Sequence, residues 1–184
     1  MNTIKYKVSL FLLLLIAFLL PNKTFSQENK EESSIRAYIF LLDEGIISTN
    51  YTQKLNDLHR EYGAKIPFLG VFPNFSSKKS KIDQWVKDYE VSFPVQSDYY
   101  KKLARKLGAT ITPEVVVYDE SKEEVLYRGR IDNQYVRVGK RRNVVTKHEF
   151  ADVLKAILEG REVPIKETKA IGCYINFNDA TGKL

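Results

Sequence analysis

Cys173 is the single cysteine of this 184-residue chain, and it is the one side chain with an intrinsic redox chemistry. A thiol reacts as its thiolate, which attacks disulfides and peroxides. One cysteine cannot form an intramolecular disulfide, but it can pair with the thiol of a partner or with a small thiol. Free cysteines are also often buried and behave as small apolar residues. The sequence leaves both interpretations of Cys173 open.

Other catalytic chemistries lack the residues that they need. The two histidines, His59 and His148, are far apart in sequence, and with one cysteine they provide no ligand spacing for zinc or copper. Both fall in predicted helices, where we expect exposed or half-exposed side chains. A serine nucleophile such as Ser48 would need an adjacent base, and nothing in the sequence brings either histidine to it. The sequence therefore predicts no metal site and no cofactor.

A proline turn lies between a predicted helix and a predicted hairpin. The helix should end near Leu107, because Gly108 tolerates the left-handed backbone of a helix end. The turn at Thr112-Pro113 then leads into a strand-forming run, Val115 to Tyr118, and a second strand returns over Val125 to Arg128. A helix, an X-Pro turn and a hairpin in this order are typical of the C-terminal half of a thioredoxin-type fold. In that fold the proline is usually cis, and the residue before it faces the active site.

Three stretches carry a resemblance to a known family. They are Gly108-Ala-Thr-Ile-Thr-Pro-Glu-Val115, Tyr127-Arg-Gly-Arg-Ile-Asp-Asn-Gln-Tyr135 and Thr168-Lys-Ala-Ile-Gly-Cys-Tyr-Ile175. Over 36–175 the chain resembles the redoxin family, thioredoxin-fold proteins related to the AhpC/TSA peroxiredoxins, many of them exported and bacterial. The resemblance implies a single α/β domain with a mixed central sheet flanked by helices. It also implies a thiol-disulfide oxidoreductase lineage with antioxidant roles in cell redox homeostasis.

The resemblance also implies where the active site would lie. In the relatives the segment after the first strand reads Cys-Pro-x-Ser-x-x-Tyr, and here the matching residues are Gly45-Ile-Ile-Ser-Thr-Asn-Tyr51. Neither glycine nor isoleucine can act as a nucleophile. The implied vestigial site consists of Gly45, Ile46, Ser48, Tyr51, Thr112 and Pro113. Cys173 matches a Gly-Cys in the tail of the family, where the resemblance implies packing near the site or pairing with the first cysteine. The chain is therefore predicted to be a pseudoenzyme with respect to the standard thiol mechanism.

The first 26 residues have the composition of a secretory leader, with Lys5 and Lys7 before the apolar run Leu10 to Leu20. The run is shorter than the roughly 20 residues of a transmembrane span. We expect a leader over 1–26, a flexible lead-in over 27–34, a redoxin domain over 35–175 and a tail over 176–184. The protein is thus predicted to be exported to a periplasmic or other extracytoplasmic location, although an uncleaved anchor is an open alternative.

Hydrophobic periodicity predicts the order β-α-β-α-(β)-α-β-β-α. The predicted strands are 35–42, 66–72, 93–95, 115–118 and 125–128, and the helices are 51–62, 76–89, 99–107 and one that begins at Thr146. Ser48, Thr49 or Asn50 should cap the first helix, and a capping box of Thr146 and Glu149 should open the last. Residues 133–145 are predicted to be a basic loop. Asp132 is predicted to form an ion pair with Arg128 or Arg130.

Composition excludes nucleic acid as a partner, because removing the three lysines of the leader lowers the formal charge from +6 to +3.

Three hypotheses about function remain. The first is a binding module that holds a protein or peptide of the cell envelope beside Thr112-Pro113 through main-chain hydrogen bonds. The second is an oxidoreductase that uses Cys173 and a partner thiol through a mixed disulfide. The third is an envelope protein whose basic loop, 136–145, contacts an acidic surface. A membrane contact is expected only through an uncleaved leader.

Overall fold

The structure, a computed structural model, describes residues 33–178. The predicted leader, most of the lead-in and the last six residues lie outside this range. The nine strands of the described range are β1 Ile35–Phe40, β2 Phe68–Phe72, β3 Val95–Ser97, β4 Ile111–Thr112, β5 Glu114–Asp119, β6 Glu124–Gly129, β7 Tyr135–Arg137, β8 Lys140–Arg141 and β9 Cys173–Tyr174. Its four helices are α1 Ile46–Tyr62, α2 Lys79–Asp88, α3 Lys102–Leu107 and α4 Glu149–Leu158.

The central sheet has five strands in the order β3-β2-β1-β5-β6. Strands β1, β2 and β3 are parallel, whereas β5 runs antiparallel to both of its neighbours, β1 and β6. A mixed sheet of order β2-β1-β5-β6 with only β5 reversed is the arrangement of the thioredoxin-like fold. The predicted fold class is therefore confirmed, and β3 extends the sheet at one edge.

The strand β1 is buried on both faces of the sheet, as the continuous apolar run of its sequence predicts. Its alternate side chains enter different cores. Ala37 and Ile39 pack with apolar residues of α1, α2 and α4, whereas Tyr38 and Phe40 pack with residues of α3 and the C-terminal segment. Helices therefore cover both faces of the sheet, and among residues 33–178 none is long and apolar enough to cross a bilayer.

The first helix begins earlier than its sequence pattern predicts. Its first residue is Ile46, and the N-cap is Gly45 with no capping side chain. The prediction that Ser48, Thr49 or Asn50 caps this helix is therefore wrong. The Ser48 hydroxyl instead accepts the backbone N–H of Leu42 at 3.1 Å, a bond that ties the first turn of α1 to the end of β1.

The predicted capping box of the last helix is also wrong. Helix α4 begins at Glu149, and its N-cap is His148, without a capping side chain. The side chains of the expected box have other partners, because the Thr146 hydroxyl accepts the amide of Asn133 at 2.8 Å and the Glu149 carboxylate accepts the Arg130 guanidinium at 3.0 Å. Hydrogen bonds to residues distant in sequence thus take the place of the predicted capping box.

Two further elements were not predicted. Residues 133–145 are not a structureless loop but contain the hairpin of β7 and β8, in which Tyr135 pairs with Arg141. The second is β9, near the C-terminal end of the described range. Gly108, in contrast, ends α3 in the left-handed conformation that the sequence predicts, with φ 69°. A side chain there would also collide with the Arg128 guanidinium, since a Cβ would lie 2.3 Å from its Nη1.

Candidate functional site

The start of α1 forms one side of the candidate site. Gly45 is the N-cap residue, with φ −92° and ψ 109°, an extended backbone that any residue can adopt. The first turn carries no acidic residue and no side-chain cap, so its amide groups are available to an anion at this point. A Cβ at Gly45 would lie 3.1 Å from Leu42, which requires only a small shift of that neighbour. Ile46 is exposed, whereas Ser48 is buried.

The Thr112-Pro113 peptide forms the other side of the site, and it is cis, the isomer that is usual at this position of a thioredoxin-type fold. Thr112 belongs to β4, whose main-chain edge is paired with β9 of the same chain. Thr112 lies opposite Cys173 in this ladder and donates its hydroxyl to the Cys173 carbonyl at 3.3 Å. The amide of Ile175 continues the pairing by donating to the Thr110 carbonyl at 2.9 Å. The edge beside Pro113 is therefore occupied by an extended segment of the protein itself.

Gly172 allows this segment to approach so closely. A Cβ built at Gly172 would lie 2.0 Å from the carbonyl oxygen of Thr112, which is far inside any possible contact. The neighbouring anchor is apolar, because Ile175 is buried in the core that lies against α3. The segment is thus held by a two-residue ladder, by the buried Ile175 and by the hydrogen bond that Arg105 donates to the Phe177 carbonyl at 3.1 Å.

Cys173 is exposed, so the interpretation of this residue as a buried apolar side chain is wrong. We expect the native protein to react with a maleimide as fast as an exposed cysteine in a flexible peptide, to within about tenfold, because accessibility governs thiol reactivity. Labelling reactions quenched at a series of times and analysed by intact-mass spectrometry give the rate of the maleimide reaction. A reaction that needs denaturant would contradict the exposed position of Cys173. The Cys173→Ser variant is the control for labelling of groups other than this thiol.

A buried carboxylate lies behind the start of α1. Asp132 accepts hydrogen bonds from the Tyr51 hydroxyl at 2.5 Å, from the Lys54 ammonium at 2.5 Å and from the amide of Gln134 at 2.8 Å. The prediction that Asp132 pairs with Arg128 or Arg130 is therefore wrong. Burial, followed by the hydrogen bond to Asp132, raises the pKa of Tyr51 well above its ordinary range. Tyr51 therefore acts as a hydrogen-bond donor to Asp132.

The two sides of the site meet at a small cavity of about 10 Å³. Its lining joins α1, the proline turn, β7 and the C-terminal segment, through Tyr51, Pro113, Arg130, Ile131, Asp132, Tyr135 and Ile171. The structure thus brings Tyr51 and Pro113 together, as the resemblance implies. Ser48 takes no part in this cavity, because its hydroxyl is bonded to the end of β1.

Neither histidine activates Ser48. The His59 imidazole contacts the Ser92 hydroxyl at 2.9 Å, and burial lowers the pKa of His59. His148 lies 3.2 Å from the Lys54 ammonium. Within 33–178, neither ring is hydrogen-bonded to Ser48, and no group of three or more His, Cys, Asp or Glu side chains could hold a metal ion.

Glu114 is a site residue that sequence reasoning missed. It is buried, and its Oε2 accepts the amides of Thr110 at 2.7 Å and Ile111 at 3.4 Å. Burial raises the pKa of this carboxyl. The two bonds hold the turn that presents Thr112 to β9. The signal in the sequence is a glutamate placed between a proline and three valines, where an exposed acid would not be expected.

Two solved structures match the chain along most of its length. A hypothetical protein of Sinorhizobium meliloti is 23% identical, with a TM-score of 0.67 over 79% of this chain and 80% of that one. An uncharacterized conserved protein of Geobacillus kaustophilus is also 23% identical, with a TM-score of 0.66 over 79% of this chain and 78% of that one. At this identity the likeness concerns the fold alone.

A more distant match is an exposed lipoprotein thioredoxin of Streptococcus pneumoniae, 16% identical, with a TM-score of 0.46 over 53% of this chain and 74% of that one. At this TM-score the likeness supports no argument about function. No protein-family model and no curated protein matches the chain. The strand order of the sheet gives this chain a thioredoxin-like α/β fold, and the two longer matches share the fold of the chain.

Proposed function

We propose that this protein is an exported redoxin relative that has lost thiol catalysis and binds an extended peptide or protein segment by strand addition beside Thr112. The observation that carries the proposal is the pairing of Thr112 with Cys173, because it shows an extended segment bonded to this edge through main-chain groups. Main-chain pairing does not depend on a catalytic thiol. The function can therefore persist after the nucleophile is lost.

The start of α1 supports the loss of catalysis. Gly45 caps the first long helix directly after β1, which is where the resemblance to redoxins places the attacking cysteine. The helix N-terminus would stabilise a thiolate there, but glycine has no side chain to ionise. Cys173 is the other thiol position of the family pattern, and alone it cannot complete a dithiol cycle.

The resident segment is suited to exchange with a partner. Its ladder to β4 has two residues, and both Cys173 and Tyr174 are exposed, so their side chains add little packing. A partner strand would replace these main-chain bonds one for one. We propose that β9 occupies the edge until a partner in the cell envelope displaces it.

Gly172→Ala tests this function, because the added methyl group must push the resident segment away from Thr112. A labelled synthetic peptide with the sequence of 168–178 then serves as the ligand. We expect it to bind the variant with a Kd in the micromolar range and to bind the wild-type protein at least tenfold more weakly, since the wild-type edge is occupied. Fluorescence anisotropy measures both affinities.

A peptide with alanine at the position of Gly172 is the matched control, and it should bind neither protein, because it carries the same clash. Ser97→Ala is the control variant, since Ser97 is exposed in β3 and its replacement by alanine requires no unusual backbone conformation. It should behave as wild type toward the peptide. Binding of the control peptide as tight as that of the native peptide would sink the proposal, and so would a folded Gly172→Ala protein that binds neither peptide.

A second candidate function rests on the exposed Cys173 thiol next to Thr112. Its thiolate would attack a disulfide of a partner, form one mixed disulfide and release one partner thiolate. A non-reducing gel of the native envelope fraction, with thiols blocked at lysis, tests it. A reductant-sensitive band of higher mass in wild type but not in Cys173→Ser supports the redox function, and one monomer-sized band in both excludes it.

A further inference from the structure

The hairpin of β7 and β8 and the residues that follow it carry an unbalanced charge. We call residues 136–147 the basic hairpin. It contains no aspartate or glutamate, and its five cations, all exposed, are Arg137, Lys140, Arg141, Arg142 and Lys147. None of the five forms an ion pair with an acid within the part of the chain that the structure describes. Their field is therefore directed at the solvent.

Apolar side chains are exposed among these cations. Val136 is 41% exposed, Val138 58% and Val144 68%. Val136 and Val144 share the wall of an open cavity of about 540 Å³, with the remaining lining supplied by Lys140, Arg141, Arg142, Asn143 and Thr146. Three exposed valines within nine residues give the basic hairpin an apolar component that a surface binding by charge alone does not need.

The basic hairpin is held rigidly at its base. The buried Asn133 side chain accepts the amides of Thr146 at 3.0 Å and Lys147 at 3.2 Å, and its backbone carbonyl accepts the Arg142 guanidinium at 3.0 Å. On the other strand, the buried Tyr135 hydroxyl accepts the amide of Asn50 at 2.8 Å. Gly139, with φ 76°, forms the turn at the tip. These bonds fix the backbone of the basic hairpin relative to the core.

We infer that the basic hairpin docks on a bilayer surface that contains anionic phospholipid. Lysine and arginine bind the headgroup phosphates, and the neighbouring valines enter the layer between the headgroups and the acyl chains. A soluble phosphate-bearing anion would use the cations but would leave the valines in water. The valines therefore favour the lipid surface, which gives the protein a membrane contact that is independent of its leader.

Co-sedimentation of the mature protein, residues 27–184 without the predicted leader, with vesicles tests the inference. One set of vesicles contains equal parts of phosphatidylglycerol and phosphatidylcholine, and the other contains phosphatidylcholine alone. We expect tighter binding to the anionic vesicles, and a roughly thirtyfold lower partition coefficient for the double variant R137Q/K140Q, which loses two of the five cations. Added salt should weaken the binding, because the charges are exposed.

Two further variants distinguish the sources of binding. V138S/V144S keeps the charge and should bind anionic vesicles about threefold or more weakly, because less apolar surface enters the interface. K79Q/K81Q removes the same charge from exposed lysines on α2, which already pair with Asp83 and Glu44, and should bind as wild type to within about twofold. Thermal unfolding checks that each variant is folded.

Three outcomes would overturn the inference. Equal binding to both kinds of vesicle, or no loss in R137Q/K140Q, would mean that another part of the chain makes the contact. No loss in V138S/V144S would mean a charge-only surface for soluble anions. Full competition by millimolar inorganic phosphate at constant ionic strength would mean a site for free phosphate. The peptide-binding assay with Gly172→Ala does not involve the basic hairpin, so either proposal can fail without the other.

Discussion

Replacing Arg130 with methionine is expected to lower the free energy of unfolding by about 3–5 kcal/mol, because the variant leaves a buried carboxylate without its cation. Glu149 is 6% exposed, and its Oε1 accepts both Nε and Nη2 of Arg130. Its Oε2 has no hydrogen-bond partner among the described residues. The guanidinium is therefore the main compensation for burying this charge. Urea unfolding at neutral pH, followed by the fluorescence of Trp85, measures the loss.

The double variant R130M/E149M should recover most of the stability, because an apolar pair of similar size has no buried charge to compensate. Arg161→Met is the matched control. It breaks a pair with Glu159 in which both side chains are about half exposed, so we expect a loss of no more than about 1 kcal/mol. If Arg130→Met were as mild as this control, the buried pair would contribute no more than a surface pair.

The architecture could be predicted because its signals are local. The apolar runs of β1, β2 and β5 are continuous, and they are buried on both faces of the sheet. The stop of α3 at Gly108 and the hairpin that follows Pro113 are set by the backbone preferences of single residues. Such features need no knowledge of distant parts of the chain.

The polar contacts could not be predicted, because their partners are far away in sequence. Asp132 has two arginines within four residues, but it pairs with Lys54, which is 78 residues away. The Thr146 and Glu149 pair has the spacing of a capping box, yet Asn133 and Arg130 take those side chains. A short window of sequence contains the competing local pattern and not the tertiary partner that replaces it.

Strand β9 escaped prediction for a different reason. It is held by main-chain bonds, and the side chains of Cys173 and Tyr174 are exposed, so no alternation of apolar and polar residues marks it. The one local signal is Gly172, whose meaning depends on the carbonyl of Thr112, 60 residues earlier in the chain. The occupied edge, which carries the proposed function, therefore required the structure.

The start of α1 should still favour a thiolate at position 45, although Gly45 itself has no side chain. In a Cys173→Ser background, Gly45→Cys provides a single thiol at the N-cap, where the backbone is extended and no side chain caps the first turn. The amides there should lower the pKa of the introduced thiol to about 7, compared with about 8.5 for an ordinary cysteine. At pH 7 the thiolate fraction then rises about 15-fold. Part of this gain is offset because a less basic thiolate is a weaker nucleophile, so we expect alkylation about three- to fourfold faster than for an ordinary exposed thiol.

The rate of alkylation by iodoacetamide, measured from pH 5 to pH 10, gives both the pKa and the limiting rate. A synthetic peptide of residues 42–49 with cysteine at position 45 is the matched control, because it keeps the neighbouring side chains, Asp43 and Glu44 among them, but is too short to form a helix. A midpoint lower than that of the control by a unit or more would show that the electrostatic half of a redoxin active site persists without its nucleophile. Equal midpoints would mean that the start of α1 exerts no such field, and the proposal that Gly45 stands at the nucleophile position would then lose its physical basis.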